Sequence, residues 1–327
     1  MAPSPLSFAN PSTFAFVLSA SIFMFLCDQA ATAKATFTTF DADLVTGINA
    51  ASTVTGLNGS NSFVRTVDGA MTTFTVPGAS QTDAASINDG NVVAGTYYDS
   101  STWHGFVRAA DGTITTFDVP GADETLAQAI NNKGEITGYG HFPKYPNRRG
   151  FVRAADGTIG TFVVPGADET FATAINDKSL IVGAYLVSGV SGVHGFVRAA
   201  DETFETFDAP VKNHGTWPTS INIKGTVAGF YYLHNTRQSF VRNIDGAITI
   251  ILSNCHWLEA TGINRKGVIT GMCNNTGFVR HVDGTIKKFH VPDADYARPV
   301  GITNAGVIAG SYGDKKSGMV RGFLRFP

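Results

Sequence analysis

Three histidines, His214, His234 and His256, lie close together in the chain, interleaved with Trp217, Tyr231 and Trp257. Imidazole titrates near neutral pH, so one of them can serve as a general base, and three can hold Zn²⁺ with a fourth position open. A base drawn from His214, His256 or Tyr231, beside the cation Arg298, is what a polysaccharide lyase needs: one group takes the proton and the guanidinium neutralises a uronate carboxylate. No His-Glu-x-x-His or i,i+4 spacing fixes these groups on one element. The acidic texts Gly121-Ala122-Asp123-Glu124 and Gly166-Ala167-Asp168-Glu169 offer oxygen ligands for Ca²⁺, but without the alternating spacing of a calcium loop. Nucleophile elbows, phosphate-cradling loops and dinucleotide fingerprints are absent from the sequence.

What must position these groups is a repeat. Phe-Val-Arg begins at Phe63, Phe106, Phe151, Phe196, Phe240 and Phe278, with Phe323-Leu324-Arg325 as a seventh copy. Ile-Asn begins at Ile48, Ile87, Ile130, Ile175, Ile221 and Ile263, with Ile302-Thr303 as the seventh. The period is about 43 residues, and each unit divides into four short strand-like pieces with β-branched and aromatic residues in rough alternation. Asp111-Gly112 and its equivalents read as two-residue hairpin turns of type I′. Four antiparallel strands per unit, seven units and no helical periodicity predict an all-β, seven-bladed β-propeller.

The two ends complement each other. The last unit stops after its third strand, at Phe326-Pro327, while Phe37-Thr38-Thr39-Phe40-Asp41 matches the fourth-strand text Thr115-Thr116-Phe117-Asp118. The N-terminal strand is therefore expected to complete the last blade and remove an exposed sheet edge.

Alternating strand direction sorts the loops. Turns joining first to second and third to fourth strands share one face of the disc and repeat almost unchanged. The opposite face carries the variation, including the insert from His141 to Arg148, the segment Asn213–Trp217, Tyr231–His234 and Cys255-His256-Trp257. Four residues before each Ile-Asn, around the mouth of the channel, stand Leu44, Asp83, Leu126, Phe171, Trp217, Glu259 and Arg298. Aromatic faces beside Asp83, Glu259 and Arg298 suit a sugar or small amphipathic ligand, with Trp257 nearby; otherwise these are ordinary surface loop residues. The repeated Arg65, Arg108, Arg153, Arg198, Arg242 and Arg280 each precede an Asp by three positions and read as local ion pairs or turn contacts at the hairpin. His104 and His194 open third strands away from the axis and read as structural.

The apolar run Phe14–Leu26 followed by Ala31-Thr32-Ala33 reads as a signal peptide, 1–33, leaving 34–327 as the exported domain, periplasmic or extracellular. Its removal takes Cys27 with it, so Cys255 and Cys273 are left as the pair for one disulfide. A net charge of −2 without basic clusters speaks against nucleic acid, and nothing past the leader predicts membrane insertion. A monomer is expected.

Gly-Phe-Val-Arg, Asp-Gly and Ile-Asn-x-x-Gly, taken together from Thr38 to Phe326, resemble the HAF-type extracellular repeat family of bacteria. The family's name tripeptide stands here as His104-Gly105-Phe106 and His194-Gly195-Phe196, with Gly in place of Ala. The resemblance implies an exported repeat protein and carries no activity. The expectation is a binding or scaffold module holding a carbohydrate, an envelope component or a protein on the variable face; the alternative is a polysaccharide lyase or hydrolase working in the central groove.

Overall fold

The computed structural model describes residues 35–144, 147–210 and 215–327. The residues read as a signal peptide, 1–33, together with Lys34 and His214, lie outside the described residues. Among the described residues the chain forms seven four-stranded antiparallel sheets, the blades of a seven-bladed β-propeller. Blades one to six cover 44–74, 81–117, 124–162, 169–207, 216–251 and 258–289. In blade seven the strands Ala294–Ile302, Ile308–Asp314 and Val320–Phe326 run outward from the axis, and Thr36–Phe40 pairs with the last, Phe40 opposite Gly322. Among the described residues no helix is long and apolar enough to cross a membrane.

The Ile-Asn element ends each innermost strand, and its asparagine has two tasks. Asn131 Oδ1 accepts from Lys133 N and Glu135 N at 3.0 and 2.9 Å, closing the turn to the second strand. Its Nδ2 donates to the backbone carbonyl of Asn176 in the next blade, at 3.0 Å. Asn49, Asn88, Asn176, Asn222 and Asn264 make the same cross-blade bond at 2.8–3.1 Å. A buried amide left unpaired is costly, so the belt holds each blade at one distance from its neighbour. Thr303 keeps part of the turn, accepting from Val307 N at 3.1 Å, but lacks an amide to reach blade one. That junction keeps contacts that recur elsewhere in the ring: Val45 N donates to Ser311 Oγ at 2.8 Å, as Ala84 N does to Ser62 Oγ at 2.7 Å, and Phe40 of the strand from the N-terminal side meets Phe63 at 6.1 Å.

Two further features follow from the repeat. Each innermost strand carries a bulge that lifts a carbonyl over the second strand, so a Cβ on Gly138 would fall 2.0 Å from Leu126 O. Only glycine fits there, which explains the Gly in every second strand. The Asp-Gly hairpins differ from the expected two-residue form: Gly112 N bonds Ala109 O at 3.0 Å, and Ala109 N bonds Thr113 O at 2.8 Å. Ala110 and Asp111 thus form the centre of the turn, and Gly112, at φ 96°, takes the left-handed position after it.

The repeated arginines keep the expected turn contact, Arg108 Nη1 donating to Ala109 O at 3.2 Å, and add one across blades. The guanidinium of Arg65, Arg108, Arg153, Arg198, Arg242 and Arg325 lies 4.5–5.1 Å from the ring of an outer-strand phenylalanine in the preceding blade: Phe40, Phe74, Phe117, Phe162, Phe207 and Phe289. The Phe of each Phe-Val-Arg, or Phe323 in blade seven, meets the same ring at 5.9–6.2 Å. Outer-strand Phe, inner Phe and Arg therefore form a sandwich between blades, with cation–π attraction strengthened by burial. The hairpin Asp caps its own turn, as Asp111 Oδ1 does for Thr113 N at 2.9 Å, and its charge still acts on the Arg three residues before it. Ile251 breaks the pattern between blades five and six, where no outer-strand Phe is available to Phe278 and Arg280.

Replacing Asn131 by Ala removes the donor to blade four and leaves two turn N–H groups without their acceptor. Urea denaturation should show a loss of about 1–3 kcal/mol. Thr303→Asn, which restores the missing amide, should add about 0.5–1.5 kcal/mol; a loss would show that the closing junction has no room for it.

Candidate functional site

The variable face is built from loops that enter the innermost strands and those that join second to third strands. The seven positions Leu44, Asp83, Leu126, Phe171, Trp217, Glu259 and Arg298 share one register, each just before the bulge of its innermost strand. From blade three to blade five they seed a run of rings. Tyr139 meets Phe171 at 5.2 Å, Phe171 meets Trp217 at 6.4 Å, Trp217 stacks on Phe230 at 6.4 Å, and Tyr232 closes the run at 5.7 Å. Asp83 stands apart in blade two, where Gln81 Nε2 donates to both its oxygens at 2.9 and 3.0 Å. Burial raises the Asp83 carboxyl above the usual range, with Gln81 opposing.

Arg237, a residue the repeat pattern does not mark, joins this run to blade six. Its guanidinium lies 4.7, 5.1 and 4.6 Å from the rings of Phe230, Tyr232 and Trp257. It donates to the Tyr232 hydroxyl at 2.8 Å and forms an ion pair with Glu259. Glu259, expected among the ligand-binding groups, is thereby occupied by blade five.

Beyond Glu259 a cavity of about 370 Å³ opens between blades six and seven, lined by Trp257, Met272, Asn274, Asn275, Tyr296 and Arg298. The exposed Arg298 guanidinium lies 5.1 Å from the Tyr296 ring, and among the described residues it has no ion-pair partner. Trp257 is held from two sides: its N–H donates to Asn274 Oδ1 at 3.0 Å, and its carbonyl accepts from Asn274 N at 2.7 Å. The expected disulfide joins Cys255 to Cys273, with Cα atoms 5.5 Å apart, immediately beneath this clamp. Both cysteines are buried with Ile251, Leu258 and Phe278. The bridge therefore fills the one blade junction where Ile251 replaces the sandwich phenylalanine, and it fixes the wall that presents Trp257.

The other nominated residues fare differently. Tyr231 is not on the surface: it is 2% exposed, packed with Val227, Phe240 and Ala209, and burial raises its phenol. Strand alternation turns it into the blade, so it cannot meet a ligand as a base. His234, at the tip of its turn with φ 53°, and His256, beside Cys255, are both exposed. Among the described residues no three His, Cys, Asp or Glu side chains converge on a metal position. Asp123, from the acidic loop text, is engaged by His141 Nδ1 at 2.7 Å.

His104 and His194 sit on third strands in matched settings, their Nδ1 atoms 2.7 and 2.9 Å from Asp118 and Asp208. They lie over Tyr97 and Tyr185 at 5.0 and 5.1 Å. On the opposite face, the axis opens into a funnel of about 270 Å³ lined by the Ile-Asn elements. There Asn132 Nδ2 bridges Asp89 and Asp177 at 2.9 and 3.0 Å, so the polar groups brace one another.

No family model matches the chain, and no curated protein matches it. Solved structures do. A catalytically inactive virginiamycin B lyase from Staphylococcus aureus with quinupristin is 12% identical, with a TM-score of 0.64 over 90% of this chain and 100% of that one. A streptogramin B lyase is 14% identical, with a TM-score of 0.61 over 90% and 98%. A chain of the mitotic checkpoint complex is 14% identical, with a TM-score of 0.53 over 97% and 99%. At such identities the likeness establishes the propeller fold and nothing about activity.

Burial disfavours the His104 imidazolium, but Asp118 and Asp99 outweigh it and its pKa is raised. The folded chain thus holds this proton more tightly than the unfolded chain. The resulting stability is complete below the ordinary histidine value of about 6.5 and fades as pH rises through the higher folded value. The melting-temperature gap between wild type and His104→Gln should accordingly shrink from about pH 6 to about pH 8. Replacing both Cys255 and Cys273 by Ser should cost about 2–4 kcal/mol in denaturant titrations, and adding reductant should then change nothing further.

Proposed function

We propose that the protein is an exported binding module that holds an acidic carbohydrate on its variable-loop face, between blades six and seven. The observation that carries this reading is the cavity in which Trp257 and Tyr296 offer ring faces, Asn274 and Asn275 offer amides, and Arg298 offers an unpaired guanidinium. Sugar rings pack their C–H faces on aromatics, amides exchange hydrogen bonds with hydroxyls, and Arg binds a carboxylate with two parallel donors. A wall stapled by a disulfide and clamped at Asn274 keeps Trp257 preorganised, which lowers the ordering cost of binding. The disulfide also supports an oxidising compartment, in keeping with the leader at 1–33. The HAF-type repeat text supports the same placement, and we assign the protein to that group of exported repeat proteins.

A second reading, a polysaccharide lyase or hydrolase, has in its favour the exposed Arg298, a cation placed to neutralise a uronate carboxylate, with His256 exposed on the same face. Against it, Tyr231 is buried and Glu259 is taken by Arg237, so neither is a free base at the groove.

Isothermal titration of the exported chain with oligogalacturonate, and with a neutral oligosaccharide of equal length, separates these readings. Saturable binding of the acidic oligomer, weakened at least tenfold by Trp257→Ala and by Arg298→Ala with melting temperature unchanged, is the expected result. Binding that ignores both substitutions, or favours the neutral oligomer, overturns the assignment. Release of unsaturated uronate during the titration would establish the lyase instead.

A further inference from the structure

A second cavity, of about 260 Å³, lies between the same two blades on the opposite face, among the short turns. Lys266, His281, Lys287 and Arg325 stand around it, and no Asp or Glu lines it. Its floor is apolar, made by Val268, Val279 and Ile302. In a chain of net charge −2, four cationic or protonatable groups on one small apolar cavity form a local reversal of sign.

The topology explains why it falls here. In blades one to six the third strand continues into a hairpin that carries an Asp three residues after the Arg. In blade seven the third strand, Val320–Phe326, is paired with Thr36–Phe40 from the other end of the sequence, so no hairpin joins them. Arg325 keeps the ring of Phe289 at 5.1 Å but loses the Asp. Arg65 is buried and Arg280 half-buried, with Asp68 and Asp283 opposing the loss of solvation, whereas Arg325 is half-buried with no acid to do so. Asp283 does act on His281, but its carboxylate is turned into its own hairpin, accepting from Thr285 N at 2.9 Å. Lys266 and Lys287 are exposed and have no ion-pair partner among the described residues.

We propose that this cavity binds a small amphipathic carboxylate, its acid group among Arg325, Lys266 and Lys287 and its apolar body on Val268, Val279 and Ile302. The carboxylate takes the part that the hairpin Asp plays beside the arginines of the other blades. The cavity lies just below the usual range for small-molecule sites, roughly 300–1,000 Å³, which restricts the body to about one ring or a short alkyl chain.

The test uses benzoate, with benzyl alcohol as its neutral counterpart, titrated into the full exported chain and followed by saturation-transfer and chemical-shift NMR. Saturable benzoate binding should be weakened at least tenfold in the Lys266→Glu, Lys287→Glu double variant. Both lysines are exposed, so the fold is retained, and an unchanged melting temperature checks this. Benzyl alcohol should bind at least tenfold more weakly than benzoate to wild type, and Arg298→Ala, on the other face, should leave benzoate binding as it was. Benzoate that does not saturate, that binds no better than benzyl alcohol, or that responds to Arg298→Ala rather than to the lysine reversals overturns the proposal.

Discussion

Blades one to six are each tied to the next near the axis by a buried amide, the Asn Nδ2 that donates to a neighbouring backbone carbonyl. The same side chain closes its own turn through Oδ1, so a single residue couples the local hairpin to the ring. A buried polar group satisfied on both sides tolerates little displacement, because losing either partner costs more than the bond contributed. Further from the axis the Phe–Phe–Arg sandwich repeats the idea with apolar area and a buried cation. Two junctions depart from the pattern. Thr303 cannot reach blade one, and that junction keeps its other contacts, among them Phe40 of the N-terminal strand against Phe63. Ile251 leaves blade six without its sandwich, and the Cys255–Cys273 bridge occupies that space.

This division of labour decides where ligands can be held. On the face of short turns the repeated residues are engaged with one another, as Asn132 is with Asp89 and Asp177. On the variable face the loops are released from the repeat, and blades five to seven use that freedom to assemble Arg237, Trp257, Tyr296 and Arg298. Arg237 organises the region without being free itself, since Glu259, Tyr232 and three rings engage it. Arg298 is left as the cation with no fixed partner among the described residues, next to a wall that the disulfide immobilises.

Much of this was legible in the residues. Seven Ile-Asn and seven Phe-Val-Arg copies count the blades; the matching texts at the two ends predict which strand completes the last one; two cysteines after the leader leave one pairing. The common register of Phe171, Trp217, Glu259 and Arg298 also follows from spacing, because one period of the repeat is one blade of the ring. Three readings needed the fold to correct or complete them. Arg65 and its equivalents do contact the local turn, but each guanidinium also lies on a phenylalanine from the preceding blade, which no local spacing announces. Tyr231 was placed with the surface aromatics, yet one step of strand alternation buries it. Asp111 was placed in a two-residue turn, yet the hairpin takes Ala110 and Asp111 at its centre with Gly112 after them.

By itself, then, the sequence determined what is periodic: blade number, strand order, the closing strand, the disulfide and the face on which variation collects. A period is a local property, repeated often enough to be read without coordinates. The tertiary structure alone decided which partners meet across blades. Arg237 is unmarked by the repeat and meets Glu259 only across a blade junction, and Arg325 differs from its counterparts because the strand beside it comes from the far end of the sequence. Those contacts depend on side-chain direction and on ring closure, two quantities that no spacing along the chain encodes.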